Sequence, residues 1–190
     1  MRVYLPLTLP ALADVLREGT VGPAPLHGFA VTPALREAYA SGDDEELAEV
    51  AMIEAGRAAL RLLAQDREAA LLSDETGPHD ADAEPADDEA RNYSAPVYRR
   101  AVIAADVSGT TLRPDLDDAV VRLSEPITYN RIASVHVDLA EAEPQVAKAV
   151  DVIDAADLGD PDAEFVLGDA EDHQLAWYAA QELPFLLDLL

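Results

Sequence analysis

Cysteine is absent from this sequence. That excludes a disulfide, a thiolate metal site and a cysteine nucleophile. Lysine is almost absent too: of 13 basic residues only Lys148 is a lysine, and the rest are arginines. Aromatic residues are scarce at 5%, with a single tryptophan, Trp177. A core must therefore be built from Ala, Leu, Val and Ile, and the 49% hydrophobic content is enough to supply one. No apolar run reaches the length of a membrane span. The opening Met1-Arg2-Val3-Tyr4-Leu5-Pro6 lacks the cationic and apolar regions of a secretory leader, so a cytoplasmic location is expected.

Acid is what the sequence has in excess. Asp and Glu number 38, and the net charge is −25. Such a field repels nucleic acid and anionic membranes, so the expected partner is a protein and neither of those. DNA mimicry is disfavoured, because mimicry needs ordered carboxylates at phosphate spacing. The densest acids instead lie at residues 73–90, where no apolar residue is larger than alanine. Low hydrophobicity with high like charge cannot offset the entropy of ordering. Residues 66–96 are therefore predicted to be an acidic, disordered loop inside a single domain of 190 residues.

Periodicity and punctuation outline the elements around that loop. Arg2 to Leu5 predicts a strand, and Thr8 to Gly19 a helix with Pro10 in its first turn and Gly19 at its left-handed stop. Phe29 to Thr32 predicts a second strand, and Thr32-Pro33 starts a short helix. Asp43 and Glu46 have capping-box spacing and open a long helix over about residues 44–65. Its Glu46, Glu54, Arg57, Arg61, Gln65 and Glu68 read as solvated pairs along one face. Val97 to Ala105 is the clearest strand, apolar enough for a central place. Ala119 to Leu123 and Ile132 to Asp138 predict two more, followed by a helix ending near Ile153. Ala163 to Leu167 predicts a sixth, short strand. From Glu171 on, Leu175, Ala179, Leu183, Leu186 and Leu190 form one stripe of an amphipathic helix kinked at Pro184. The fold class is α+β: one mixed sheet with helices packed against it, for which a ferredoxin-like arrangement is one form.

Four segments together resemble a known family. They are the opening Met1 to Pro6, Ala30 to Glu37, the strand Val135-His136-Val137-Asp138, and Glu171 to Leu183. They are similar to an uncharacterised family of actinobacterial proteins, a domain of unknown function. The resemblance spans nearly the whole chain outside the acidic loop. It implies a high-GC bacterial source and a cytoplasmic setting, and it implies no activity.

Motif chemistry is mostly refused. Lys148 stands in a helical context, so there is no phosphate-binding loop. No Gly-x-Gly-x-x-Gly, His-Glu-x-x-His or Gly-x-Ser-x-Gly occurs. Asp80, Asp82 and Glu84 begin like a calcium loop, but Pro85 replaces the required glycine and Arg91 the closing glutamate. His136 and Asp138 alternate on a strand and share a face. With His173, and with Asp172 beside it, they are the best available metal ligands, yet the pattern is too loose to predict a metal, and no cofactor is expected. Asp138 reads equally well as the cap of the next helix. Arg99 and Arg100 point to opposite faces and read as neutralising the acidic loop. His173, Trp177 and Gln181 lie off the leucine stripe and form a candidate ledge for a ligand or partner.

The reading that follows is a soluble, non-catalytic interaction or regulatory module. The alternative is a small hydrolase, metal-dependent in one form, using His173, His136 and Asp138. An enzyme predicts a concave pocket in which His173 or His136 meets carboxylates. A module predicts those groups scattered beside an exposed apolar patch.

Overall fold

The computed structural model describes residues 1–75 and 97–189. Strand β1 (Arg2–Leu7) turns Val3, Leu5 and Leu7 into one core and Tyr4 the opposite way. Helix α1 (Leu9–Glu18) follows, with Pro10 in its first turn and Gly19 stopping it at φ 72° while its N–H donates to the Val15 carbonyl. After β2 (Thr20–Val21) and β3 (Leu26–Phe29), the Thr32 hydroxyl caps α2 (Pro33–Ala38) by accepting the Leu35 N–H at 3.0 Å. Gly28 is required on β3, since a Cβ there would lie 2.5 Å from Val3 Cγ1.

Helix α3 (Asp44–Glu75) opens on the expected capping box. Asp43 Oδ1 accepts the Glu45 and Glu46 N–H groups, and Glu46 Oε2 accepts the Asp43 N–H at 3.0 Å. The helix runs past residue 65, so the first part of the predicted acidic loop is helical through Glu75. The remainder of that loop, with the calcium-like segment 80–84, lies outside the described residues.

The second half comprises β4 (Ala101–Asp106), β5 (Thr110–Leu112), β6 (Val120–Leu123), β7 (Ile127–Thr128), β8 (Ile132–Val137), α4 (Glu143–Asp157), α5 (Pro161–Glu171), β9 (Ala176–Ala179) and α6 (Leu183–Leu189). Seven strands form one sheet in the order β5-β6-β3-β1-β4-β8-β9, while β2 and β7 pair separately. Ala101 through Ala105 are all buried, as a central strand demands. The α+β class with helices against one main sheet is thus what the chain adopts. Its pairings are all antiparallel where a mixture of directions was expected.

The two faces of the sheet are covered differently. Val3, Leu5, Ala101, Ile103, Val135 and Val137 line one face, sealed by Leu12 and Val15 of α1 and by Leu183 and Leu186 of α6. Helix α3 crosses the other face over β1, β3 and β4. Its second half, through Leu60 and Leu63, builds a separate core with α4 and α5. The α3 arginines do not pair along their own helix as expected. Arg61 grips Asp157 with two bonds of 2.6 Å, Arg57 reaches Glu164, and Arg67 reaches Asp151. No helix among the described residues is long and apolar enough to cross a membrane.

Two further expectations fail. Residues 163–167 belong to α5, whose start is set by Asp160, the side chain of which accepts the Asp162 and Ala163 N–H groups. Asp160-Pro161 is the same cap-then-proline signal that opens α2. The C-terminal stretch is not one helix. It is β9, a short turn and α6. The outer edge of β8 recruits Ala176-Trp177-Tyr178-Ala179, and aromatic residues suit a pleated, half-buried surface. Pro184 then falls in the first turn of α6, where its missing N–H leaves no bond unmade. Leu183 and Leu186 still reach the core as their spacing implied.

Candidate functional site

The site grows from strand alternation. Register pairs Val102 with His136, and His136 with Trp177. These side chains therefore share the face that α3 crosses, and two residues along on the neighbouring strands come Arg100 and Asp138. Helix α3 covers the β1–β4 part of this face and leaves the β8–β9 end open. The gap is a cleft of about 650 Å³. Ala48, Met52, Ile53 and Gly56 of α3 form one wall, and Tyr4, His136 and Trp177 belong to the sheet side. Glu171 at the end of α5 and Asp172 through Leu175, between α5 and β9, close one end, while Glu45 and Glu49 stand on α3.

A buried ion pair underlies the cleft. Asp138 Oδ2 accepts from Arg100 Nε at 2.9 Å and from the Arg100 backbone N–H at 2.8 Å; Oδ1 accepts from Nη2 at 2.8 Å. Both side chains are almost wholly buried, at 4% and 0% exposure. Arg100 Nη2 also donates to the His173 carbonyl at 2.7 Å, which fixes the connection carrying His173 to the sheet. The guanidinium lies under α3 at Gly56, where a Cβ would meet Arg100 Nη1 at 3.8 Å, an ordinary contact. Among the described residues, then, Arg100 pairs with Asp138 and Arg99 with Glu143.

His136 is half-buried, and desolvation, helped by the charge of Arg2, lowers its pKa below the ordinary value and favours the neutral ring. Its Nε2 lies 3.0 Å from Ser134 Oγ. Glu171 is shifted the other way: burial raises its pKa, against the opposing charges of Arg57 and Arg100. Its Oε1 is sealed from solvent without a hydrogen-bond partner. Glu54, nearby on α3, is likewise raised by burial and then by Asp117.

Residues 1–187 match the model of a family of unknown function, DUF6912. The chain belongs to DUF6912. No curated protein and no solved structure matches it.

Within this DUF6912 chain the predicted residues divide. His136, His173 and Trp177 meet in the cleft, and Asp172 lines it with them. Asp138 lies beneath them with its carboxylate occupied by Arg100. Gln181 follows β9 in the turn Ala180–Glu182 and does not line the cleft. The ledge drawn on a helical wheel is thus replaced by a strand face. No group of three His, Asp or Glu among the described residues is arranged to hold a metal ion. Glu171 and the α3 wall were not named as site residues from sequence, and Arg100 was read as a partner of the acidic loop. Arg100 and Asp138 had a faint signal: one ion stands just before an apolar strand and one just after another.

In chemical terms the cleft has the placement of an active site without its pairing. Ser134, His136 and Asp138 succeed one another on one strand face, but a catalytic triad needs the acid on the imidazole. Here the acid is spent on Arg100, and Ser134 is buried at 5% exposure. No carboxylate bonds to either cleft imidazole among the described residues. Trp177, in contrast, is 62% exposed, with Ile53 at 51% across the same cleft.

Proposed function

We propose that this DUF6912 chain is a non-catalytic, cytoplasmic interaction module that receives a protein partner in the cleft between α3 and the β8–β9 edge. The observation that carries the reading is the exposure of Trp177 in a concave site. A large aromatic left uncovered beside apolar walls supplies contact area that its own fold does not use. A net charge of −25 argues for a protein over nucleic acid or membrane.

The test compares the wild-type chain with Trp177→Ala. The module predicts a partner that rebinds as purified protein with a measurable Kd and is lost with the variant. The hydrolase alternative draws on the Ser134–His136 contact and on two imidazoles in one cleft. A panel of ester, peptide and phosphoester substrates addresses it. Turnover that disappears in His136→Ala would overturn the module.

A further inference from the structure

We infer that the cleft selects a basic partner, an extended segment that seats an arginine side chain against Trp177 and the cleft carboxylates. This inference rests on the cleft being a docking site. It adds the chemistry of what docks.

Charge comes first. The cleft is lined by four carboxylates, Glu45, Glu49, Glu171 and Asp172. Its one arginine, Arg100, is already neutralised by two-point pairing with Asp138. His136 is held toward its neutral form by burial. The cleft thus offers an incoming group negative charge with little positive charge to oppose it. Attraction at long range acts in the same sense, since the whole chain carries −25.

Shape and chemistry favour guanidinium over a simple ammonium. A planar cation stacks on an indole face and pairs with a carboxylate through two parallel donors, which a lysine does not match. Trp177 and Glu171 lie on the same cleft to provide both. Glu171 Oε1 has no hydrogen-bond partner and no access to water. Glu171 as a whole is half-buried and lines the cleft, so an incoming donor pairs with the part of its carboxylate that stays accessible. The apolar wall of Ala48, Met52 and Ile53 suits the methylene stem of the same side chain.

The occupant is a chain segment because of where Trp177 sits. Among the described residues, strand β9 is the last strand of the sheet and has no neighbour on its outer side. The Asp138 N–H points toward β4, where it meets the Arg100 carbonyl at 3.0 Å. Alternation then turns the Val137 and Val135 amides toward β9, and the Ala176 and Tyr178 amides toward β8. The Trp177 N–H and carbonyl are left facing outward. The Ala179 N–H faces outward as well and is closed by Glu182 Oε2 at 2.7 Å. One residue's worth of edge is therefore open beside the exposed indole. An extended segment meets it with main-chain bonds while its side chain enters the cleft. A cleft of about 650 Å³ has room for more than one side chain.

The experiment uses the full chain at physiological salt and four short peptides of one length. They alternate alanine with arginine, with citrulline (the neutral isostere of arginine), with leucine or with glutamate. Binding is read by calorimetry and by emission of Trp177, the only tryptophan. The arginine peptide is expected to bind at least about tenfold more tightly than the citrulline peptide. Glu49→Gln with Glu171→Gln should weaken it about tenfold. Asp115→Asn with Glu125→Gln removes the same charge near the opposite edge of the sheet and should weaken it less than about twofold. Equal loss in the two double variants would reduce the preference to the general acidic field and overturn the inference. Equal or tighter binding of the citrulline, leucine or glutamate peptide would overturn it too, while leaving the cleft a docking site. Failure of all four peptides to bind would remove both the inference and the docking reading.

Discussion

The two faces of the sheet use the same strands and end in opposite conditions. On the α1–α6 side, alternate residues of β1, β4 and β8 are Val3, Leu5, Ala101, Ile103, Val135 and Val137, all buried and all apolar. On the α3 side the intervening positions near the β8–β9 end are Arg100, Asp138, Ser134, His136 and Trp177. The first face is finished by folding. The second contains a buried ion pair, a half-buried imidazole and an exposed indole, and it stays partly open. Burying ions is costly, and well-packed apolar residues often replace such pairs without loss. The proposed docking cleft thus lies on the face where stability has been given up.

Breaking the ion pair tests that contrast most severely. Asp138→Ala leaves Arg100 buried and unpaired, and should destabilise the chain by about 3–5 kcal/mol in urea unfolding. Arg100→Met combined with Asp138→Leu should recover most of that loss, since the penalty lies in the orphaned charge. If the double variant is as unstable as the single one, the pair holds the fold in a way the contrast does not allow. Ile103→Ala on the closed face comes next, at about 2–5 kcal/mol, with no recoverable partner. It should leave any ligand affinity of the cleft unchanged, because the side chain points away from it.

This contrast was only partly legible in the sequence, and the limit is physical. Local signals held: Pro10 marked one helix start, and the caps Thr32 and Asp43 with Glu46 marked two more, because such signals act over three or four residues. The apolar run at β4 declared a central strand. What failed depended on distant partners. Leu175, Ala179, Leu183 and Leu186 fit a helical stripe, and only the unpaired edge of β8 turned the first part into β9. Arg100 and Asp138 lie 38 residues apart and meet because β4 and β8 are antiparallel neighbours. His136, His173 and Trp177 were named from sequence, but the wall that makes a cleft of them is α3, whose placement no local pattern carried. Glu171 was assigned to the start of a final helix and ends α5 instead.

His136 gives a smaller and pH-resolved test of the open face. Its folded pKa lies below the ordinary 6.5, so between those two values the unfolded chain binds more protons than the native one. Its share of stability is complete above pH 6.5 and is lost as pH falls through the window beneath it. The wild-type Tm should drop relative to that of His136→Gln by about 2 °C across this window. Parallel curves would mean that the imidazole is as well solvated folded as unfolded, and the cleft more open than described.

The smallest effect has the opposite sign. Glu171 is raised above the ordinary 4.5, chiefly by burial, so the native state holds its proton to higher pH than the unfolded state does. Its contribution favours folding at acid pH and is lost as pH rises through the folded value. Glu171→Gln keeps the shape without the charge. It should match the wild type below pH 4.5 and exceed it at pH 7, by about 1 °C, because solvent screens a half-buried carboxyl. No equivalent gain is available on the closed face, where no charge is held. A Glu171→Gln chain that is more stable at pH 7 yet binds the arginine peptide less tightly would show a carboxylate kept for its ligand at the fold's expense. A chain that is less stable at pH 7 would instead make Glu171 a structural anion, serving Arg57 and Arg100, and would close the difference between the two faces at that position.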